Sequence, residues 1–184
     1  MITRLLVCVL VLSTAPLATA QQKTPGVGPT IVLETSKGTI EFETYPDEAP
    51  KTVARIVQLV KKGFYTGLRF HRAETDFLIQ IGDPATRDRT REAWWGRGGS
   101  GIPIGVSEVS RKRRHLRGAV AMAHVGTDIG SADSQFYILL RAAPELDGKY
   151  TVFGHVTKGM DVVARIQFGD VLKKASVKAE SGGL

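Results

Sequence analysis

A single cysteine, Cys8, occurs in 184 residues, so neither an intrachain disulfide framework nor a multi-cysteine zinc site can form. The four histidines, His71, His115, His124 and His155, lack paired metal-ligand spacing, and neither a metal nor a cofactor is expected. The apolar run at residues 5–12 falls far short of a bilayer span. The glycine-rich stretch 96–101 is not followed by Gly-Lys-Ser/Thr, and residues 98–102 break the Gly-x-Ser-x-Gly pattern, which argues against a phosphate loop and a hydrolase elbow. No internal repeat is visible. Acidic charge is the minority, 18 Asp+Glu against 25 Lys+Arg, for a formal charge of +7.

What is present begins with a leader. Arg4, the apolar run and the small residues Ala18-Thr19-Ala20 have the layout of a secretory signal cleaved after Ala20. Cleavage removes Cys8 and Arg4, leaving a thiol-free, basic chain of charge about +6 outside the cytoplasm, in a periplasm or secreted. A lipid anchor at Cys8 does not fit, because most of the apolar run follows the cysteine. No stable membrane insertion is expected after cleavage. Arg111-Lys112-Arg113-Arg114 is compact enough to meet phosphates. No nucleic-acid motif accompanies it, so it reads as a solvated loop and no nucleic-acid partner is expected.

The remaining length and the 42% hydrophobic content suit one domain over residues 30–180, after a flexible lead-in at 21–29. Residues 30–35 and 39–44 are β-type runs about Ser36-Lys37-Gly38, a first hairpin. Val53, Ile56, Val57 and Val60 recur at helical spacing, predicting an amphipathic helix over 50–62 with Pro50 in its first turn. Residues 85–105 read as a long glycine-shaped loop. Strands are expected at 118–125, 135–140, 151–156 and 167–177. Met160, Val163, Ala164 and Ile166 mark a second helix. Hairpins with two separated helices favour an antiparallel sheet.

The stretch from Phe70 to Pro84, FHRAETDFLIQIGDP, sets a lone arginine and a glutamine among apolar residues. It predicts a strand ending at Arg72, a polar reversal at 73–76, and a second strand at 77–81. Alternation puts Phe77, Ile79 and Ile81 on one face and Leu78 and Gln80 on the other. If Arg72 shares the Gln80 side, the glutamine carbonyl can hold the guanidinium; a one-residue slip reverses the faces. A surface arginine on an edge strand is the plainer reading of Arg72 taken alone. Likewise Gln135 and Tyr137 share one face of their strand, and Phe136 and Ile138 the other.

FHR, F-x-I-Q and GDP, followed in order by Arg117-Gly118, Met122-Ala123, Ser134-Gln135-Phe136, Leu146-Asp147-Gly148-Lys149, Val152-Phe153-Gly154 and Gly159-Met160-Asp161-Val162-Val163, resemble the cyclophilins, peptidyl-prolyl cis-trans isomerases, in a bacterial exported form. The match spans nearly the whole expected mature chain. The resemblance implies a mainly β fold, a closed eight-stranded antiparallel barrel capped by two α-helices, with the ligand groove outside a side-chain-filled interior. It implies Arg72, Gln80 and Phe77 as the catalytic set, Gln80 orienting Arg72. Phe77, Leu78, Tyr137 and Leu146 would grip a proline ring, with Tyr150 at the edge, and Ala123, His124 and Gln135 would hold the flanking backbone. Proline-containing polypeptides are the implied partners, and a monomer is expected.

Several residues depart from the better-known eukaryotic pattern: Ile81 for a glycine, His124 for asparagine, Ala132-Asp133 for Asn-Gly, Tyr137 for phenylalanine, Glu145 for tryptophan and Tyr150 for histidine. The Glu145 change implies weak binding of cyclosporin-type cyclic peptides. A cyclophilin-like peptide-binding module or chaperone with little turnover is the alternative; retention of Arg72 and Gln80 favours the enzyme.

Overall fold

The computed structural model describes residues 27–178, so the proposed leader lies outside the described residues. β1 (Ile31–Thr35) and β2 (Gly38–Thr44) form the expected hairpin, with Ile31, Leu33, Ile40 and Phe42 buried on one face. Gly28 and Pro29, assigned from sequence to the lead-in, already bond to Thr44: Gly28 N donates to its carbonyl at 2.6 Å and its hydroxyl donates to Pro29 O at 2.7 Å.

α1 (Pro50–Lys61) buries Val53, Ile56, Leu59 and Val60 and packs on the last strand. Proline at its start loses no helical hydrogen bond. Its N-cap residue, Ala49, offers no side-chain acceptor. Glu108, far along the chain, fills that role by accepting from Lys51 N at 3.0 Å and from Thr52 N at 2.9 Å. The carboxylate thus satisfies two orphan N–H groups and faces the positive end of the helix.

β3 (Arg72–Glu74) and β4 (Leu78–Ile81) form the second hairpin, followed by β5 (Ala119–Met122), β6 (Phe136–Leu139), β7 (Val152–Lys158), α2 (Met160–Arg165) and β8 (Leu172–Val177). The eight strands make one antiparallel sheet in the order β3-β4-β6-β5-β7-β2-β1-β8. The sheet curls without closing as a continuous ladder, which corrects the closed barrel expected from sequence. Its edges, β3 and β8, meet through the segments leading into them, by an isolated bridge between Arg69 and Val171 and by bonds such as Phe70 N to Asp170 O at 3.0 Å. β3 is too short to supply a full seam.

Inside the curl, Phe42, Tyr65, Phe136 and Phe153 meet at centroid separations of 5.5–6.1 Å, mostly edge to face, the arrangement that ring quadrupoles favour. α2 packs on β2 and buries Val162 and Val163. Ala164, expected on that face, is exposed.

Three further expectations change. Residues 84–94 are two 3-10 turns, Pro84–Arg87 and Arg89–Trp94, before the glycine loop begins; Asp83 and Asp88 cap them through side-chain bonds to Ala85 N and Thr90 N. The basic cluster is not all solvated loop, since Arg113 lies 3.5 Å above the Tyr45 ring and pairs with Glu48 at 3.0 Å. Phe77 does not share the Ile79 face. It sits in the turn before β4, after Asp76 at a φ of 61°, and packs with Leu78 and Tyr137 on the outer face.

Candidate active site

The β3–β4 register pairs Arg72 with Gln80, and the β4–β6 register pairs Gln80 with Tyr137. Directly opposed residues in an antiparallel ladder project to the same side, so Arg72, Gln80 and Tyr137 form a row on the outer face. Around the row lies a second apolar cluster, separate from the interior: Leu78, Tyr137, Ala119, Ala121 and Val152 are buried, and Phe77, Ala123, Leu146 and Tyr150 pack half-buried at its rim. Small side chains on β5 with larger ones around them make an apolar seat whose floor is buried and whose rim is half-buried. All four ring-pocket residues expected from sequence, with Tyr150, are therefore brought together.

Arg72 stands at the edge of that seat, its side chain 42% exposed. Its Nε donates to Glu74 at 2.6 Å, and its guanidinium carbon lies 5.7 Å from the Phe77 ring centroid. Glu74 and Phe77 hold the guanidinium, which corrects the expectation that Gln80 does so. Arg141 reaches the same ring at 4.8 Å and pairs with Glu145 at 3.2 Å. Phe77 thus carries two cations, which its face attracts electrostatically.

Gln80 is directed elsewhere: its amide donates to Gln135 Oε1 at 2.8 Å. Gln135 in turn donates to the carbonyls of Gly96 and Gly98, at 2.9 and 2.7 Å, and lies 3.0 Å from His71 Nε2. Since that oxygen only accepts, His71 carries its proton on Nε2. Burial pushes the His71 pKa down, which keeps the ring neutral. Gln135, expected to hold substrate backbone, has its whole amide engaged by the protein.

The reason lies in Asp83, fully buried after β4. Besides capping Ala85, its carboxylate accepts from Gly96 N at 2.7 Å and Gly98 N at 3.2 Å, folding the glycine loop so that two carbonyls face Gln135. Gly82, at a φ of 124°, permits this because a Cβ there would overlap the Ser134 backbone. The Gly82-Asp83 pair was the sequence signal for this arrangement; nothing local linked it to residue 135.

Beside the apolar seat, a groove of about 630 Å³ is lined by the glycine loop, residues 123–125, Gln80, Gln135 and Asp133. Ala123 belongs to both the seat and the groove, joining them. His124 lines the groove, stacks on Tyr150 at 4.5 Å and donates from Nε2 to Lys149 O at 3.0 Å. A row of this kind offers a cation beside an apolar ring seat, with backbone-sized space along it. It contains no activated nucleophile, and among the described residues no three acidic, histidine or cysteine side chains cluster to hold a metal ion.

His115 was missed as part of this face. It is 2% exposed and lies behind Tyr137, with Nε2 3.0 Å from the tyrosine hydroxyl. Its signal in sequence was only a histidine among arginines.

Residues 30–181 match the family described as "Cyclophilin type peptidyl-prolyl cis-trans isomerase/CLD". The chain is 41% identical over 139 residues to peptidyl-prolyl cis-trans isomerase B of Bacillus subtilis, covering 76% of this chain and 90% of the relative. It is 38% identical over 143 residues to a Helicobacter pylori peptidyl-prolyl cis-trans isomerase, covering 77% and 82%. A Cryptosporidium parvum cyclophilin, crystallised in the presence of the dipeptide Ala-Pro, shares the fold with a TM-score of 0.72 at 23% identity, covering 82% of this chain and 99% of that one. With its outer-face row, its curled sheet and these relatives agreeing, this chain belongs to the cyclophilin-type peptidyl-prolyl cis-trans isomerases.

Proposed function

We infer that this protein accelerates rotation about X-Pro peptide bonds in polypeptides, with Arg72 as the transition-state donor and the Phe77, Leu78, Tyr137 and Leu146 seat gripping the proline ring. The supporting observation is the register that sets Arg72 at the rim of the outer-face apolar cluster around β4–β6. Peptide rotation is slow because the nitrogen lone pair is delocalised into the carbonyl, a barrier of about 18–20 kcal/mol. In the twisted state that pair returns to a pyramidal nitrogen and can accept a hydrogen bond. A guanidinium poised there binds the twisted form better than either planar isomer, which is catalysis by differential binding. No proton is transferred and no covalent intermediate forms. A barrier lowered by about 7 kcal/mol gives roughly 10⁵-fold acceleration.

Gln80 acts through Gln135 and the glycine loop, keeping the floor of the groove in place, and Ala123 and His124 border the space for the flanking backbone. The Ala-Pro dipeptide used with the Cryptosporidium relative fits this substrate class. Proline-isomer exchange on a short peptide is the test: acceleration by the protein that is lost in Arg72→Ala is expected, whereas tight peptide binding without acceleration would identify a binding module.

The same reading includes export. The Arg4, apolar-run and Ala18-Thr19-Ala20 arrangement supports a mature protein starting near Gln21, acting on folding chains outside the cytoplasm. N-terminal sequencing from the native host checks it, and intact Met1 on soluble cytoplasmic protein would refute it. Glu145, half exposed and paired with Arg141, supports weak binding of cyclosporin-type peptides, because an ionised carboxylate has no donor and is costly to desolvate.

A further inference from the structure

We propose that His115 is a positioning residue of the proline seat, holding Tyr137 and the turn that carries Leu146 in one arrangement through a hydrogen-bonded chain that starts at Asp147. The proposal rests on the isomerase reading of the outer face and adds to it a residue outside the seat itself. His115 lies just before β5, and both its backbone and its side chain tie that segment to residues 143–147. Its N–H donates to Asp147 Oδ1 at 2.8 Å, its carbonyl accepts from Ala143 N at 2.8 Å, and its Nδ1 lies 2.9 Å from the same Asp147 oxygen.

The proton positions follow from chemistry. Asp147 is held ionised, its pKa lowered first by the bond from the His115 backbone N–H, and an ionised carboxylate only accepts. Nδ1 therefore carries the imidazole proton. Burial pushes the His115 pKa down against the pull of Asp147, so the ring is neutral and Nε2 is left as an acceptor. The Tyr137 hydroxyl, 3.0 Å away, donates to it.

One face of the chain thus ends on the tyrosine ring opposite Gln80, the other on the 3-10 turn Pro144–Leu146, whose last residue closes the seat. The two walls of the seat, 137 and 146, come from different elements and share no backbone bond. His115 is the link between them. Ring contacts reinforce it: His115 lies parallel to Tyr137 at 6.2 Å, and Tyr150 stands edge-on to both, at 6.3 and 5.8 Å. A phenylalanine at 137 would leave Nε2 buried and unpartnered, so the hydroxyl and the histidine form one unit.

The experiment compares His115→Asn, Tyr137→Phe and the double variant with the wild type in proline-isomer exchange and in direct titration with Ala-Pro dipeptide. Asparagine keeps a donor for Asp147 but is too short to reach Tyr137. The expected result is a rise in KM and in dipeptide Kd of about tenfold, the scale of one lost buried hydrogen bond. For His115→Asn kcat stays within about twofold, and the double variant is no worse in KM and Kd than either single one. His115→Gln, whose carbonyl can reach the hydroxyl, recovers most of the loss. Nitrogen-15 spectra of the imidazole should show the Nδ1–H form, with Nε2 shifted in Tyr137→Phe. Unchanged KM and Kd in folded variants, additive effects, or an Nε2–H imidazole would overturn the proposal. If His115→Asn does not fold, the Tyr137→Phe titration and spectra decide alone. A wild type that binds dipeptide without turning it over would remove the isomerase reading and leave the Kd comparison to judge His115.

Discussion

The two faces of β4, β5 and β6 are built from alternate residues of the same strands, yet they serve different ends. Inward, Ile79, Ile81, Val120, Met122, Phe136 and Ile138 fill the curl with apolar side chains, and hydroxyls or amides are absent from their number. Outward, Leu78, Ala119, Ala121 and Tyr137 form the apolar seat, bordered by Arg72 and Gln80 and backed by His115 behind Tyr137. The inner face has no freedom, because each side chain must fit its neighbours at crystal-like density. The outer face carries small residues where a ring must enter and polar residues at the rim, where water or neighbouring side chains satisfy them. A two-residue period therefore separates stability from recognition along one strand.

Truncating the inner face should have the largest effect. Phe136→Ala removes a ring packed against Phe42, Tyr65 and Phe153 and should cost about 3–5 kcal/mol, a fall in Tm of roughly 10–15 °C. A thermal scan showing only a few degrees would mean the interior is not the stabilising face. On the outer face, Arg72→Ala should lower turnover about 10²–10³-fold with Tm nearly unchanged, because the side chain is 42% exposed and is held by an exposed ion pair to Glu74 and by the Phe77 ring. Lysine there should rescue poorly, lacking the planar fork. Loss of Tm in parallel with turnover would erase the distinction between the faces.

A smaller effect is expected at the rim. Glu145→Trp should tighten inhibition by a cyclosporin-type peptide by about ten- to a hundredfold, or 1–3 kcal/mol, with proline turnover little changed. Inhibition curves that do not move would put residue 145 outside the groove edge.

Acid sensitivity tests the polar shell behind both faces. His71, His115 and His155 all have pKa values pushed below 6.5, chiefly by burial. The unfolded chain then binds more protons than the folded one, so stability falls as pH drops from 6.5 through the lowered folded values and is flat above. Glu41 and Asp147, lowered respectively by Lys178 and by the His115 N–H, add a second loss at more acid pH with the same sign. Denaturant midpoints between pH 5 and 7 should rise, with a shallower slope in His115→Asn. A flat profile would mean the histidines protonate freely in the folded state.

The smallest change is Glu74→Gln, which loosens Arg72. Its exposed ion pair is worth about 1 kcal/mol or less, so turnover should fall no more than about fivefold, and less at high salt. A larger fall would make Glu74 part of the catalytic donor rather than its support.

Local pattern determined a good deal here. Alternation in 135–138 separated Tyr137 from Phe136 and Ile138, helical spacing located α1 to within a residue at its C-terminal end, and the polar stretch after Arg72 announced the hairpin, although Arg72 begins β3 rather than ending a strand and the turn falls at 75–77. Each depends on neighbours within a few positions, so composition and period suffice. Phe77 escaped that logic because a positive φ at Asp76 precedes it, and the alternation begins only at Leu78. Contacts across long stretches of chain were decided by the tertiary structure alone. Asp83 folds the glycine loop onto Gln135, Glu108 caps α1 from 56 residues away, Arg69 and Val171 join the edges of the sheet, and His115 spans Asp147 and Tyr137. A hydrogen bond needs its partners within about 3 Å and in line, and no sequence period encodes which distant atoms the curl of the sheet brings that close.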